Sequence, residues 1–331
     1  MADWTFTTAD ALTAQTWAKR WWIEAKTESY FYGQGFIGAS EETNIIVEFP
    51  DLEREQGYQH TFGQVRNLSG AGVAGDLIME GNEEVPNVYD DAITINQKRN
   101  AVRTFGKLSD QYPSDKAVRQ WAQRLLKRWK ADTIDQDMFD AIWLAPTKAL
   151  YGGDATTTAT IEAGDYMTLA LISKAVAYAK KATPKIIGTP AGGKRWFVCV
   201  MSPDQEFDLK ERDAAWAQAQ REAMQPGPDN PLFTGAIGRW NNTILHVHER
   251  IPTSTAWGAD TPPTLAGAEA GFFGVGCAGI AYAKRKVWNE KTFDYGNKVG
   301  FCIGAIYGMT KAVFNTYDNA FVVIRTYRTN N

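Results

Sequence analysis

The sequence predicts an α+β protein with an extended first third and a compact last half, on three observations. Two strand-like stretches flank a 25-residue segment, 67–91, that has almost no periodicity. A single apolar stripe then runs along one unusually long helical stretch, 113–143. The second half alternates helical and strand patterns without an internal repeat. With 331 residues, 44% of them hydrophobic, the chain can bury a sizeable core. Its net charge of −3 supplies no global positive field toward nucleic acid. Cys199, Cys277 and Cys302 are too scattered for a disulfide framework or a Cys-x-x-Cys zinc site, which fits a reducing compartment. The start has no basic-then-apolar signal pattern. The most apolar run, 270–283, is shorter than the ~20 residues of a spanning helix, so a soluble protein with no membrane partner is expected.

In chain order, residues 8–28 are amphipathic and helical in pattern, with Leu12, Trp17, Trp21, Trp22 and Ala25 at helical spacings. "YFYGQGFIGAS" mixes aromatics with glycines and reads as irregular. "NIIVEF" at 44–49 is a short strand, 57–66 a longer one, and "AITINQ" at 92–97 alternates again and continues into "RNAVRTFG". These strands and the segment between them make a long hairpin, and a connection beyond about 12–15 residues is usually functional or disordered. Pro113-Ser114-Asp115 signals a helix start. Val118, Trp121, Ala122, Leu125 and Trp129 form its expected apolar stripe, with Lys116, Arg119, Arg124, Lys127 and Lys130 opposite. About 28 residues give a rod of roughly 40 Å. Residues 166–183 form a helix with Leu169, Ile172, Ala175, Val176 and Ala179 on one face. A buried strand, a turn at Ser202-Pro203-Asp204 and another helix come next, and the remainder is rich in strands.

"SGAGVAGDLIMEGNEEV" at 69–85 contains the G-x-G-x-x-G spacing of a dinucleotide-binding turn. Such a turn needs a buried strand before it and a full helix after it, whose amides hold the pyrophosphate. Here polar "QVRNLS" precedes Gly70, and Gly81 and Pro86 interrupt the stretch after Gly75. Six acids and no base (Asp76, Glu80, Glu83, Glu84, Asp90, Asp91) would repel a phosphate. The glycines therefore read as permissive backbone at a hairpin tip, and a nicotinamide-dependent oxidoreductase is a remote alternative. No cofactor is expected. His246 and His248 share a strand face, but a metal needs a third ligand and His60 is the other histidine in the chain. Cys199 reads as a core thiol. No nucleophile-elbow or Walker pattern is present, so no catalytic or metal site is expected.

"GAGVAGDLIMEGNEE" followed by "ITINQKRNAVRTFGKLSDQ" resembles the family of major capsid proteins typified by the Enquatrovirus coat protein. The signature falls on Gly70, Gly72, Val73, Gly75, Asp76, Glu80, Gly81, Asn82, Glu83 and Glu84. "MSPDQEFDLKERDAAWAQAQ" and "NPLFTGAIGRWNNTILHVHE" are similar to the family's second half, at Pro203, Asp204, Gln205, Leu209 and Gly235 to Gly238. The resemblance implies the Hong Kong 97-like capsid fold of tailed phages. In that scheme 1–44 is an N-terminal arm and 45–108 the extended loop. Residues 109–165 and 281–331 form a peripheral domain with the spine helix at about 113–143, and 166–280 form the axial domain.

The implied function is self-assembly of hexamers and pentamers into the icosahedral head of a tailed double-stranded DNA phage. The chain would be made in the host cytoplasm and found in the virion. Portal, scaffold or decoration proteins would be partners, as would packaged DNA held without sequence readout. Encapsulin compartments share the fold and are the alternative. The loop tip carries no lysine, so a lysine–asparagine crosslink there is not expected. Trp17, Trp21 and Trp22 of the arm are expected at subunit contacts. So are pairs between Glu80, Glu83 and Glu84 of one tip and Lys98, Arg99 and Arg103 of a neighbour.

Overall fold

The computed structural model describes residues 29–53, 56–65, 72–76, 78–85, 88–108, 118–182, 185–216 and 238–329. They fall into two compact units. One is built from the chain up to His60, Ile93–Ile142 and Ala278–Thr310, and the other from Thr61–Ala92, Trp143–Cys277 and Lys311–Asn331.

The first unit holds a five-stranded sheet. In spatial order its strands are β1 (Ile37–Gly38), β2 (Ile46–Phe49), β13 (Ala278–Phe293), β14 (Lys298–Lys311) and β5 (Asn96–Arg103). Apolar "NIIVEF" gives β2, whose Ile46, Val47 and Phe49 are buried. β2 lies parallel to both neighbours, pairing Ile46 with Ile37 and with Ala278. β5 pairs antiparallel with β14 from Asn96 opposite Tyr307 to Arg103 opposite Gly300. The continuous strand expected across 92–106 is interrupted. β4 (Val88–Thr94) pairs with β3 (Gln59–Val65) as a separate ribbon, and at Ile95 the N–H turns away to the Tyr58 carbonyl at 3.0 Å. The glycine- and aromatic-rich segment is also more regular than expected, with a short helix α1 at Tyr30–Gly33.

The long helix α2 spans Val118–Ile142, and the proposed start at 113–115 lies outside the described residues. Its buried face overlaps the expected stripe only in part, at Ala122 and at the half-buried Trp129 packed beside it. Ala122, Leu126, Lys130, Ile134, Met138 and Ile142, each four residues from the last, form the inner row. Leu126 is 1% exposed and packs with Ala122 on Phe301 and Ile303, whereas Leu125 is 61% and Trp121 41% exposed. Two adjacent leucines allow either phase, and the sheet selects the row that reaches Phe301. Lys130, expected on the outer face, is 4% exposed. Its ammonium donates to the Arg285 carbonyl, which supplies the partner a buried cation requires.

The second unit holds an eight-stranded sheet. Its main path runs β6 (Ala149–Tyr151), β17 (Phe321–Tyr327), β12 (Leu265–Phe273), β8 (Lys194–Met201), β10 (Thr243–Val247) and β9 (Gly238–Trp240). β11 (Thr253–Trp257) pairs with β12, and β7 (Thr189–Ala191) with β8. A small ribbon of β15 (Val313–Phe314) and β16 (Tyr317–Asp318) leads into β17. Helix α3 (Leu169–Lys181) is capped by the Thr168 hydroxyl and buries Leu169, Ile172, Ala175, Val176 and Ala179, the face its periodicity marks. Helix α4 (Pro203–Arg212) begins with proline and a Ser202–Gln205 capping box. Gln205 also donates to the Ala268 carbonyl and to Thr326 Oγ1, fixing α4 on the sheet.

β17 pairs with β12 over seven residues, from Phe273 opposite Phe321 to Gly267 opposite Tyr327. That ladder draws the last strand into the second unit, while 281–310 stay with α2.

Candidate assembly interface

The signature segment lies between β3 and β4. Gly72, Gly75 and Gly81 have φ of 67°, 71° and 88°, a region that favours glycine, and a Cβ at any of them would meet nothing within 4 Å. The requirement there is thus for backbone angles and not for close approach. Asn82 closes a turn, its N–H donating to the Met79 carbonyl at 2.9 Å and its side-chain amide to the Ile78 carbonyl at 3.0 Å. Glu83 Oε2 accepts from the Gly81 N–H at 2.7 Å. Asp76, Glu80, Glu83 and Glu84 are exposed and Val73 is half-buried, while Gly70 lies outside the described residues. No helix succeeds Gly75 among the described residues between 76 and 85, so the amide row of a dinucleotide site is missing from them.

Beside the acids stand Ile78, Met79, Val85 and Val88, all exposed. Four large apolar groups in one ribbon and its tip resemble an interface more than a solvated loop. The apolar residues interleaved with acids in "DLIMEGNEEV" are the sequence signal for this surface.

The basic candidates sit on β5, and Lys98 and Arg103 have partners within the first unit. Lys98 pairs with Asp137, whose Oδ2 also accepts from the Tyr307 hydroxyl at 2.7 Å. The Arg103 guanidinium lies over the Phe293 ring, 5.6 Å from its centroid. Arg99 is exposed, with its stem beside Gly304. Trp17, Trp21 and Trp22 lie outside the described residues.

Where the proposed arm joins the first unit, the contacts are specific. Asp135 of α2 is buried and accepts from Ser29 Oγ at 2.7 Å, the Tyr30 N–H at 2.8 Å and the Phe31 N–H at 3.4 Å. Next to it, the Tyr32 and Tyr282 hydroxyls meet at 2.8 Å, and Tyr32 also donates to Glu48. Burial, reinforced by the Glu48 charge, holds Tyr32 well above the usual phenol range. Burial does the same to Tyr282, aided by Tyr32. Arg285 pairs with Glu48 and Glu53 and lies over the Tyr282 ring. Sequence reasoning missed Asp135. An acid on the inner side of an amphipathic helix, between Ala131 and Phe139, was the available clue.

Of the remaining chemical candidates, Cys199 and His246 are buried, and His60 and His248 are half-buried. Burial pushes the Cys199 thiol up to about 12, far from the thiolate a nucleophile needs. His246 is buried, which lowers it to about 4, and His248 Nδ1 accepts from the Arg250 N–H just beyond β10. His60 lies 3.5 Å from Asp51 and against the Phe49 ring. Among the described residues no three His, Cys, Asp or Glu side chains gather as a metal site, and no helix is long and apolar enough to cross a membrane.

Comparison with known proteins gives one answer along the whole chain. A family model described as phage capsid protein matches residues 5–143 and 139–328. The major capsid protein of Pseudomonas phage KPP25 is 27% identical over 94% of this chain and 93% of that protein. The capsid of Ralstonia phage GP4 superposes with a TM-score of 0.79 at 28% identity, covering 99% of this chain and 96% of that one. The capsid of cyanophage Pam1 also gives 0.79, at 20% identity over 92% of this chain and 93% of that one, a likeness of fold.

Proposed function

Because this chain belongs to the phage capsid protein family, we propose that it is the major capsid protein of a tailed, double-stranded DNA phage, of the Enquatrovirus coat-protein type. It is a capsid and virion protein whose copies associate into the icosahedral head. The observation that carries this is the full-length match to the GP4 capsid in both fold and sequence. Neither a nicotinamide oxidoreductase nor an encapsulin compartment has comparable support.

On this reading the fold is of the Hong Kong 97 type. Residues 1–44 are the arm, the β3–β4 ribbon within 45–108 is the extended loop, and α2 is the spine. The sheet beside α2 is peripheral, and much of 166–280 is axial. The protein is made in the host cytoplasm and has a structural role, without catalysis. Hexamers and pentamers join a portal, with scaffold or decoration proteins where the phage encodes them, and surround the genome. Each acidic tip, with Ile78, Met79 and Val85 among its acids, rests on a neighbouring copy near Arg99 and Arg103. Lys98 contributes less, because Asp137 already holds it.

Electron microscopy of the purified chain tests the proposal. Hollow shells or hexamer rings are expected. Compact monomers that bind a nicotinamide would overturn it, and small shells enclosing an enzyme would favour the compartment.

A further inference from the structure

Between Tyr166 and Pro203 the chain carries Lys174, Lys180, Lys181, Lys185, Lys194 and Arg195 and no acid, in a protein of net charge −3. The fold gathers five of these at one end of the second unit. α3 delivers Lys180 and Lys181 in its last turn. The chain after it folds back, with the Ile186 N–H donating to the Ala179 carbonyl at 3.1 Å. Two residues later, the Gly188 carbonyl accepts from Arg195 Nη1 at 3.2 Å. Lys185 therefore stands between the end of α3 and the start of β8, where Lys194 and Arg195 come after a left-handed Gly192–Gly193 turn. Alongside, Arg239 of β9 lies over the Trp196 ring, 5.5 Å from its centroid. Lys180, Lys181, Lys185, Lys194, Arg195 and Arg239 are all exposed. The same end leads, through the Gly274 N–H on the Ala320 carbonyl, toward Asp318, but that carboxylate is buried and paired with Lys311 at 2.6 Å.

Lysines in a last turn complement the helix dipole, which accounts for Lys180 and Lys181. It does not account for Lys185, Lys194, Arg195 and Arg239, which come from three other elements. Bases spread over several elements, with an arginine and a tryptophan together, match a polyanion with regularly spaced charges. We infer that this end of the second unit is the surface on which the subunit meets the phosphate backbone of packaged duplex DNA. The inference rests on the capsid reading. It assigns to one surface a contact that the overall charge of −3 argues against for the chain as a whole. The contact positions DNA without reading sequence, because all its charges address phosphates.

The test titrates the unassembled full chain with a labelled duplex of about 30 base pairs, between about 0.05 and 0.2 M salt. It is compared with the triple variant Lys181→Gln, Lys185→Gln, Lys194→Gln, three exposed side chains whose loss should leave the fold unchanged by circular dichroism. The variant is expected to bind at least about tenfold more weakly, with a log–log salt slope shallower by up to about 2.7. A peptide of residues 74–91 serves as the competing acidic protein ligand. Duplex binding equal to wild type, or a loss confined to the peptide, overturns the inference. In assembled heads, the same lysines are expected to acylate severalfold more slowly when the head is filled than when emptied of DNA, and equal rates overturn it too. Microscopy of the wild-type chain separates the two ideas. Shells with an indifferent triple variant remove this surface alone, whereas no shells or rings removes the capsid reading.

Discussion

Ser29 donates its hydroxyl to Asp135 at 2.7 Å across 106 residues of sequence, in a buried site on α2. The same carboxylate takes the next two backbone N–H groups. The start of the described chain is thus fixed to the middle of the long helix by one side chain.

Asp135→Ala should therefore loosen that attachment. It leaves a buried hydroxyl and two N–H groups without their acceptor, at about 1–3 kcal/mol for each group that finds no replacement. Urea unfolding of the subunit should show a loss of roughly 2–4 kcal/mol. A loss under about 0.5 kcal/mol would mean that water or another group takes the carboxylate's place.

Leu125 and Leu126 are neighbours with opposite fates. Leu126→Asp places a carboxylate against Phe301 and Ile303 and should yield insoluble or unfolded chain. Leu125→Asp should give soluble subunits with nearly unchanged unfolding, because the residue is exposed. Expression and size-exclusion profiles of the pair decide this, and equal damage from both would show that α2 is rotated from the position described.

Neutralising Glu80, Glu83 and Glu84 to glutamine should leave the subunit's melting temperature nearly unchanged. All three are exposed, and the amide oxygen of a glutamine in place of Glu83 can still accept from the Gly81 N–H. Shell yield should fall, and charge reversal at Arg99 or Arg103 should act in the same direction. Each exposed pair contributes only about 0–1 kcal/mol, but symmetry repeats it around every ring. Light scattering at about 0.1 and 1 M salt reads the effect, since screening tightens from about 10 to 3 Å over that range. Wild-type assembly by the triple variant at both would show that the acids serve solubility.

His246 gives a pH dependence of defined sign. Burial lowers it from 6.5 to about 4, so between those values the unfolded chain binds the proton that the folded chain refuses. Its contribution is complete above about pH 6.5 and is lost as the pH falls toward 4, on the order of 3 kcal/mol in all. The difference in unfolding free energy between wild type and His246→Gln should change across that window by a comparable amount. A constant difference from pH 7 to pH 4.5 would refute it.

Much of the fold was legible because local rules and tertiary needs agreed. "NIIVEF" becomes β2, the apolar face from Leu169 to Ala179 is the buried face of α3, and Ser202-Pro203 opens α4. The phase of α2 was not legible, because Leu125 and Leu126 both continue a plausible stripe and Phe301, which decides between them, is about 175 residues away. The break at Ile95 was hidden for a similar reason, since it depends on the Tyr58 carbonyl. At the tip, the glycines announced a turn and the acids their exposure. The exposed Ile78, Met79 and Val85 could not be told from core residues until the ribbon was in view.

The pairing of β2 with β13 joins Ile46 to Ala278. A ribosome moving at about 5–20 residues per second releases the first strand roughly 10–50 s before the second exists. During that interval the buried edge of β2 has no β13 to accept it, and the sheet beside α2 is incomplete. A nascent or truncated chain ending before Ala278 therefore lacks the surface on which α2 settles. The sheet beside α2 is therefore complete only after nearly all of the chain has been translated.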